Sequence, residues 1–433
     1  MNNPRTIRKR SLKFTVTTVV TVSILALIGC SSGQPSTATT EVGGTLTLST
    51  TPEQDRGLQH FYDSFAKENG VTVDESHMEV NALNEQLRLQ ITARTAPDIF
   101  RSAPGNSVPS AVLSLAGEEN LLDLSNEKWA KNVPDSFEPL MKSDDGMFAY
   151  PVAGQAILMF YNKAVFEEIG AEEPTTWTQF IDLCKDLKAA GKIPVSVGLG
   201  TPAFIQFIPY QLASTLVANL EPSFAKQHAA GETTFSDSKG WHQAFEMFFG
   251  LIKDGYTTEN PLGTSSDQSI QAVANGDAGM LALTSGNAPV LGDYTANGMD
   301  DIGMFALPAT DDAEETWVPF SPDYLVVNAN AKNPAAAKAF LEYLSTPERA
   351  AEYAKATATV PALTNASPVD NPLNALVQPY LVDNRTSPFL NHLWPNGEVQ
   401  QVLLQTGQQV VEGSRSIDDL LAEMDTAYAK GNS

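Results

Sequence analysis

Apolar residues along this chain alternate between a two-residue and a 3.6-residue rhythm, and the switches divide it into elements. Residues 45–49 alternate, predicting a first strand. Thr51-Pro52-Glu53-Gln54 predicts a helix start, with Thr51 as cap, Pro52 in the first position and Gln54 completing a capping box. Leu58, Phe61, Tyr62 and Phe65 form that helix's apolar face, and Asn69-Gly70 ends it. A strand at 71–73, a helix through Leu83, Leu87 and Ile91, and a strand at Ala96-Pro97-Asp98-Ile99-Phe100 follow. This order implies a mostly parallel sheet, which holds ligands beyond the carboxyl ends of its strands. Residues 50–53 and 101–106 are therefore candidate binding loops, and Glu53, Arg101 and Asn106 their candidate contacts.

The rest of the chain is arranged around residues 149–163. Pro151 fixes its own φ and biases Tyr150 toward an extended conformation. Residues 157–161 form an apolar, aromatic run, as expected of a strand covered on both faces. Asn162 caps a short helix through Val165 and Phe166, and Gly170 stops it. An extended segment with Gly154 beside it can cross between two halves of a protein and act as a hinge. Gln155 then lies at the crossing.

Beyond it, Thr176-Trp177-Thr178-Gln179 opens a helix to Gly191, 193–199 reads as a strand, and 204–217 reads as helical, beginning with Phe204 and Gln206. Trp241, Phe245, Phe248, Phe249 and Ile252 form a helical core stripe. A strand at 278–283 leads to Thr284-Ser285-Gly286-Asn287, another spans 304–307, and the acidic loop 311–315 follows. Residues 324–328 return as a strand, preceded by Asp323. Asn333-Pro334 and Thr346-Pro347 each open a helix, 369–387 reads as irregular, and two helices from about Asn396 and from Ser416 finish the chain. No repeat of solenoid period is present.

The N-terminus changes the picture. Arg5, Arg8, Lys9, Arg10 and Lys13 precede an apolar run at 14–28, which is shorter than the ~20 residues a membrane-spanning helix needs. It closes on Leu27-Ile28-Gly29-Cys30, which resembles a bacterial lipobox: residues 1–29 are expected to be a lipoprotein signal peptide and Cys30 the lipidated residue. A plain secretory signal is the bland alternative. Residues 30–42 are then a flexible Ser/Thr-rich tether. Loss of the five basic residues before Cys30 leaves 22 Lys and Arg against 51 acids, or −29. That argues against nucleic acid and against adsorption to anionic lipid. With Cys30 acylated, Cys184 is the one remaining thiol; it reads as a buried small hydrophobe, so no internal disulfide is expected.

Ala96-Pro97-Asp98-Ile99-Phe100, Tyr150-Pro151 with Phe160-Tyr161-Asn162-Lys163, Pro174-Thr175-Thr176-Trp177 with Phe180, Asn275-Gly276-Asp277-Ala278-Gly279-Met280, Ala339 to Glu348 and the close from Trp394-Pro395 resemble extracellular solute-binding proteins of the carbohydrate-binding, maltose-binding-type class that serve ABC importers. The resemblance covers nearly the whole mature chain in order. It implies an α/β, two-lobe periplasmic-binding-protein-like fold with interleaved chain segments and a hinge of extended crossings. Lobe 1 would be 43–152 plus 318–362, and lobe 2 153–317 plus 363–433. A monomer lipid-anchored on the extracytoplasmic face of the cell membrane would close on a small solute and dock on permease subunits. No cofactor, metal or catalytic residue is implied.

A sugar site needs flat aromatic faces for C–H surfaces and planar polar groups for hydroxyls. Gln155 is the leading polar candidate because the resembled pattern places a ligand-contacting side chain shortly after Tyr-Pro, although there the maltose binder has a carboxylate. Asn287, Asp323, Tyr324 and Trp394 complete the candidate set with Glu53, Arg101, Asn106, Phe204 and Gln206. The aromatic expected near Asn287 is missing, which weakens a maltodextrin assignment. Trp394 has a second reading, as a structural anchor. Three alternatives stand beside a sugar importer: a binder of polyols or glycerol-phosphate-like solutes, a secreted glycoside hydrolase, and a lipid-anchored adhesin or scaffold. The hydrolase needs two facing carboxylates, and Asp144-Asp145, Asp300-Asp301 and Asp311-Asp312 read as solvated turns.

Overall fold

Local signals settle the first elements of the chain. β1 (Gly44–Thr50), α1 (Pro52–Asn69), β2 (Val71–His77), α2 (Val80–Thr92) and β3 (Ile99–Ser102) follow in order, and β1 pairs in parallel with both β2 and β3. The computed structural model describes residues 42–106, 108–116 and 119–431. The signal segment, Cys30 and the tether as far as residue 41 lie outside the described residues.

At the start of α1, Thr51 Oγ1 accepts the Gln54 N–H at 3.4 Å, Pro52 fills the first turn, and Gly70 leaves the helix at φ 64°. Only half of the expected capping box forms. The Gln54 side chain does not return to Thr51: it is buried, and neither its Oε1 nor its Nε2 has a hydrogen-bond partner.

A short hairpin of β4 (Lys142–Ser143) and β5 (Gly146–Met147) precedes the crossing segment, which is one continuous strand, β6 (Tyr150–Asn162). Its two ends have different partners. Residues 150–156 pair antiparallel with β10 (Val318–Val327), whereas 157–162 pair antiparallel with β8 (Ala278–Thr284) and β9 (Ile302–Phe305). β7 (Ile193–Val195) continues the sheet in parallel beside β8. β10 also reaches β3, antiparallel, through residues 324–327, and pairs with β11 (Thr386–Ser387) near its start. The order is β2-β1-β3-β10-β6-β8-β7, with β9 on β6 and β11 on β10. Among the described strands, β6 and β10 therefore join the β1–β3 half to the β7–β9 half.

Four expectations change. β7 stops at Val195, because Gly198 and Gly200 then bring the backbone against residues 264–265; a Cβ on Gly198 would lie 2.5 Å from the Ser265 carbonyl oxygen. The expected helix at 204–217 is a tight turn (Pro202–Gln206), a helix (Phe207–Ala213) and a wider π-type turn (Ser214–Asn219). β10 starts at Val318 rather than at 324. The segment 369–387 is not wholly irregular: Pro372–Val382 is a helix, opened by Asn371 accepting the Asn374 N–H at 2.7 Å, with Pro372 in the first position. That start carries the Asn-Pro signal seen at Asn333-Pro334.

Each half of the sheet buries its own aromatic and aliphatic side chains, among them Leu48, Phe65, Leu83 and Phe100 in the first and Phe180, Phe245, Phe248 and Leu281 in the second. Cys184 is fully buried, and burial pushes its thiol up to about 12. It is an inert packing residue.

Candidate functional site

A cleft of about 500 Å³ opens where the two halves meet at β6 and β10. Its walls include Thr51 and Gln54 at the start of α1, Arg101 at the end of β3, Gln155 on β6, Asn287 after β8, and Asp323 on β10. The volume is that of an ordinary small-molecule site. Strand pairing explains the gathering. Asp323 is opposite Ala153 and Ser321 opposite Gln155 in the antiparallel ladder, so these side chains share one face of the crossing strands.

Two of the charged groups in the cleft are partly buried. Arg101 Nη2 lies 3.6 Å from Asp323 Oδ1, with the two side chains 15% and 28% exposed. Behind Arg101 sits His392, whose Nδ1 is 2.8 Å from Ser321 Oγ. Burial, aided by the Arg101 charge, pushes His392 down to about 3, so the imidazole is neutral near pH 7. The Gly105 backbone approaches His392 so closely that a Cβ would fall 1.9 Å from the His392 carbonyl oxygen, and Gly105 itself has φ +60°. Across the cleft, Gly286 gives Gln155 its room: a Cβ there would meet Gln155 Oε1 at 2.4 Å. The Ala156 N–H donates to Ser285 Oγ at 3.1 Å, tying β6 to the end of β8.

Of the residues singled out from sequence, Arg101, Gln155, Asn287 and Asp323 line this cleft. Glu53 is in the first turn of α1, and its side chain lies outside the described residues. Asn106 is a half-buried turn residue just past Gly105. Phe204 packs on Phe207 with ring centroids 5.1 Å apart, and Gln206 Oε1 accepts from Gln400 Nε2 at 2.8 Å; neither lines the cleft. Tyr324 is fully buried: side chains alternate along β10, so next to Asp323 its ring points to the opposite face, into the core, with its hydroxyl toward the Phe137 carbonyl. Trp394 is 4% exposed and sits edge-on to Tyr210 and Phe235 beside Trp241, which fits the anchor reading. It borders a separate, mainly apolar cavity of about 360 Å³.

Thr51 lies in the loop 50–53 expected to bind, but sequence reasoning missed Gln54 as a cleft residue, treating it as a helix-capping group. It also missed Tyr353, Thr357 and Thr359, which arrive from the helix Pro347–Thr357 and the residues just past its end, with no local sign of a site. The described residues hold one His–carboxylate cluster: His77 Nδ1 is 3.5 Å from Asp55 Oδ2 and 3.4 Å from Glu75 Oε2. These groups are on a partly exposed surface next to α1, and none of the three lines the cleft.

A profile of bacterial extracellular solute-binding proteins matches residues 60–377, most of the chain. The melibiose/raffinose/stachyose-binding protein MelE of Bacillus subtilis is 23% identical over 431 residues, covering 97% of this chain and 96% of its own. Among solved structures, a family 1 extracellular solute-binding protein from Bifidobacterium longum subsp. infantis superposes with a TM-score of 0.74 at 20% identity, covering 90% of this chain and 99% of that one. The solute-binding protein RafE in complex with raffinose gives 0.70 at 20% identity, over 90% and 100%. These likenesses establish a two-lobe α/β fold, and the chain belongs to the bacterial extracellular solute-binding protein family.

Proposed function

We propose that the protein captures an oligosaccharide in the cleft at the β6–β10 crossing and delivers it to an ABC permease, from a position anchored to the extracytoplasmic membrane face through a lipid on Cys30. The observation that carries this reading is the gathering of Gln54, Arg101, Gln155, Asn287 and Asp323, from both sides of the crossing, on one polar cleft. Planar amides, a carboxylate and a guanidinium are the groups that pair sugar hydroxyls in a desolvated site. A micromolar site needs about 8 kcal/mol, within reach of a few such bonds plus apolar contact.

The names of relatives support the solute class: MelE is named for melibiose, raffinose and stachyose, and RafE holds raffinose. On this reading, lobe 1 is 43–152 plus 318–362 and lobe 2 is 153–317 plus 363–433. The lobes close about β6 and β10 when sugar enters. On this reading the protein is a binder rather than a hydrolase: the adjacent acids Asp144, Asp145, Asp300, Asp311 and Asp312 are exposed on turns and loops away from the cleft, and of the cleft acids Asp323 is engaged with Arg101.

Tryptophan fluorescence and melting temperature, recorded against melibiose, raffinose, stachyose, polyols and amino acids, test the assignment. A saturable response to one oligosaccharide that is recovered unaltered supports it. Products appearing on incubation overturn it in favour of a hydrolase.

A further inference from the structure

We infer that the cleft discriminates by charge: it accepts an uncharged, hydroxyl-bearing solute and rejects phosphorylated and other anionic counterparts. The inference rests on the cleft being the solute site, and three features of its wall carry it.

The first is the helix end facing the cleft. A helix N-terminus normally offers free N–H groups and a positive dipole to an anion. In α1 those donors are consumed. Pro52 has none, the Gln54 N–H is taken by Thr51 Oγ1, and the Asp55 N–H is taken by the Thr51 carbonyl at 2.9 Å. At most the Glu53 amide is left in the first turn, too few for a phosphate, which needs several converging donors.

The second feature is the state of the cleft's guanidinium. Arg101 is the innermost base and already faces the Asp323 carboxylate at 3.6 Å. A phosphate would have to displace or neutralise that carboxylate. The charged residues lining the cleft are two bases, Arg56 and Arg101, against three acids, Glu79, Asp293 and Asp323. The cleft is net negative within a strongly acidic chain, a field that repels an anion before contact.

The third is Gln54. Its amide carries one orphaned acceptor and one orphaned donor group just beneath the cleft wall, with no hydrogen bond to hold it there. On this proposal the side chain turns about its torsions to present both to a bound solute. A hydroxyl satisfies such a pair, because it donates and accepts; a vicinal diol satisfies both atoms at once. A phosphate dianion only accepts, and leaves Gln54 Oε1 unpaired against a negative group.

The test is isothermal titration of the purified protein with matched pairs: galactose and galactose 1-phosphate, glucose and glucose 6-phosphate, glycerol and sn-glycerol 3-phosphate, together with raffinose and inorganic phosphate. Neutral solutes binding at least 100-fold more tightly than their esters is the expected result. Asp323→Asn should narrow that ratio at least tenfold, by freeing Arg101. Gln54→Met should raise the melting temperature, because two unsatisfied polar atoms leave the interior, while weakening the neutral solute about tenfold. A merely structural Gln54 would instead lower the melting temperature when replaced.

Equal or tighter binding of a phosphate ester, lost in Gln155→Ala, overturns the charge discrimination but keeps the cleft as the site. Binding of any solute that Gln155→Ala leaves unchanged, or no binding by any probe, removes the cleft assignment and this inference with it.

Discussion

At Gly105 and Gly286 the backbone comes too close to its neighbours to admit a side chain. Gly105→Ala forces a Cβ onto the His392 carbonyl and an L-residue into a left-handed φ, so a loss of at least ~1–3 kcal/mol is expected in a denaturant titration. Gln155→Ala should raise the Kd for the bound oligosaccharide about tenfold with little change in melting temperature, since Gln155 is partly exposed at the cleft wall. Trp394→Ala should do the reverse: lost packing of ~3–5 kcal/mol, with affinity preserved in the folded protein.

His392 supplies a pH signature. The unfolded chain takes up its proton near pH 6.5, whereas the folded imidazole does not until about pH 3. Between these values the unfolded state holds more protons, so stability falls as pH drops below 6.5. The loss is of order 2 kcal/mol by pH 5, and it should vanish from the pH profile of His392→Asn. Residue roles were the least legible part of the sequence. Asp323 and Tyr324 are adjacent and read alike as site residues, yet the alternation of side chains along β10 sends one to the cleft and the other to the core. Gln54 read as a cap because the box pattern says nothing about whether the amide closes it.

At the level of elements, the sequence was most informative where a cap stood beside a clear period. Thr51, Asn162, Thr176, Asn333 and Ser416 each start a helix where expected, and all but Ser416 are followed by a helix whose cap geometry is explicit. Ser416 and Asp419 exchange hydrogen bonds at the start of the last helix. Thr51→Ala should cost about 1 kcal/mol through loss of the α1 cap and lower the melting temperature by a few degrees. Failures came where tertiary contact overrides local pattern. Residues 196–199 drop out of the expected strand because glycines press the chain against 264–265, and residues 214–219 widen into a π-turn in a run that looks uniformly helical.

For the whole molecule, the informative fact is that β6 and β10 each divide their hydrogen bonds between two sets of partners. Tyr150-Pro151 and the apolar run behind it made β6 legible, and the family resemblance implied that the second crossing pairs with it; the pairing of β10 with β3 was not legible, because it depends on residues more than 200 positions apart. Two strands shared between halves, with a polar cleft on one face, are the mechanical basis for capture by closure. Solution scattering should show a smaller radius of gyration when the oligosaccharide is bound.

The most direct test of the central claim is isothermal titration of the purified protein with raffinose, stachyose and melibiose. The account predicts one saturable site at roughly micromolar affinity for at least one of them, equivalent to about 8 kcal/mol, weakened in Gln155→Ala, with the sugar recovered intact. Absence of binding to all three oligosaccharides, or affinity unaltered by Gln155→Ala, would contradict it.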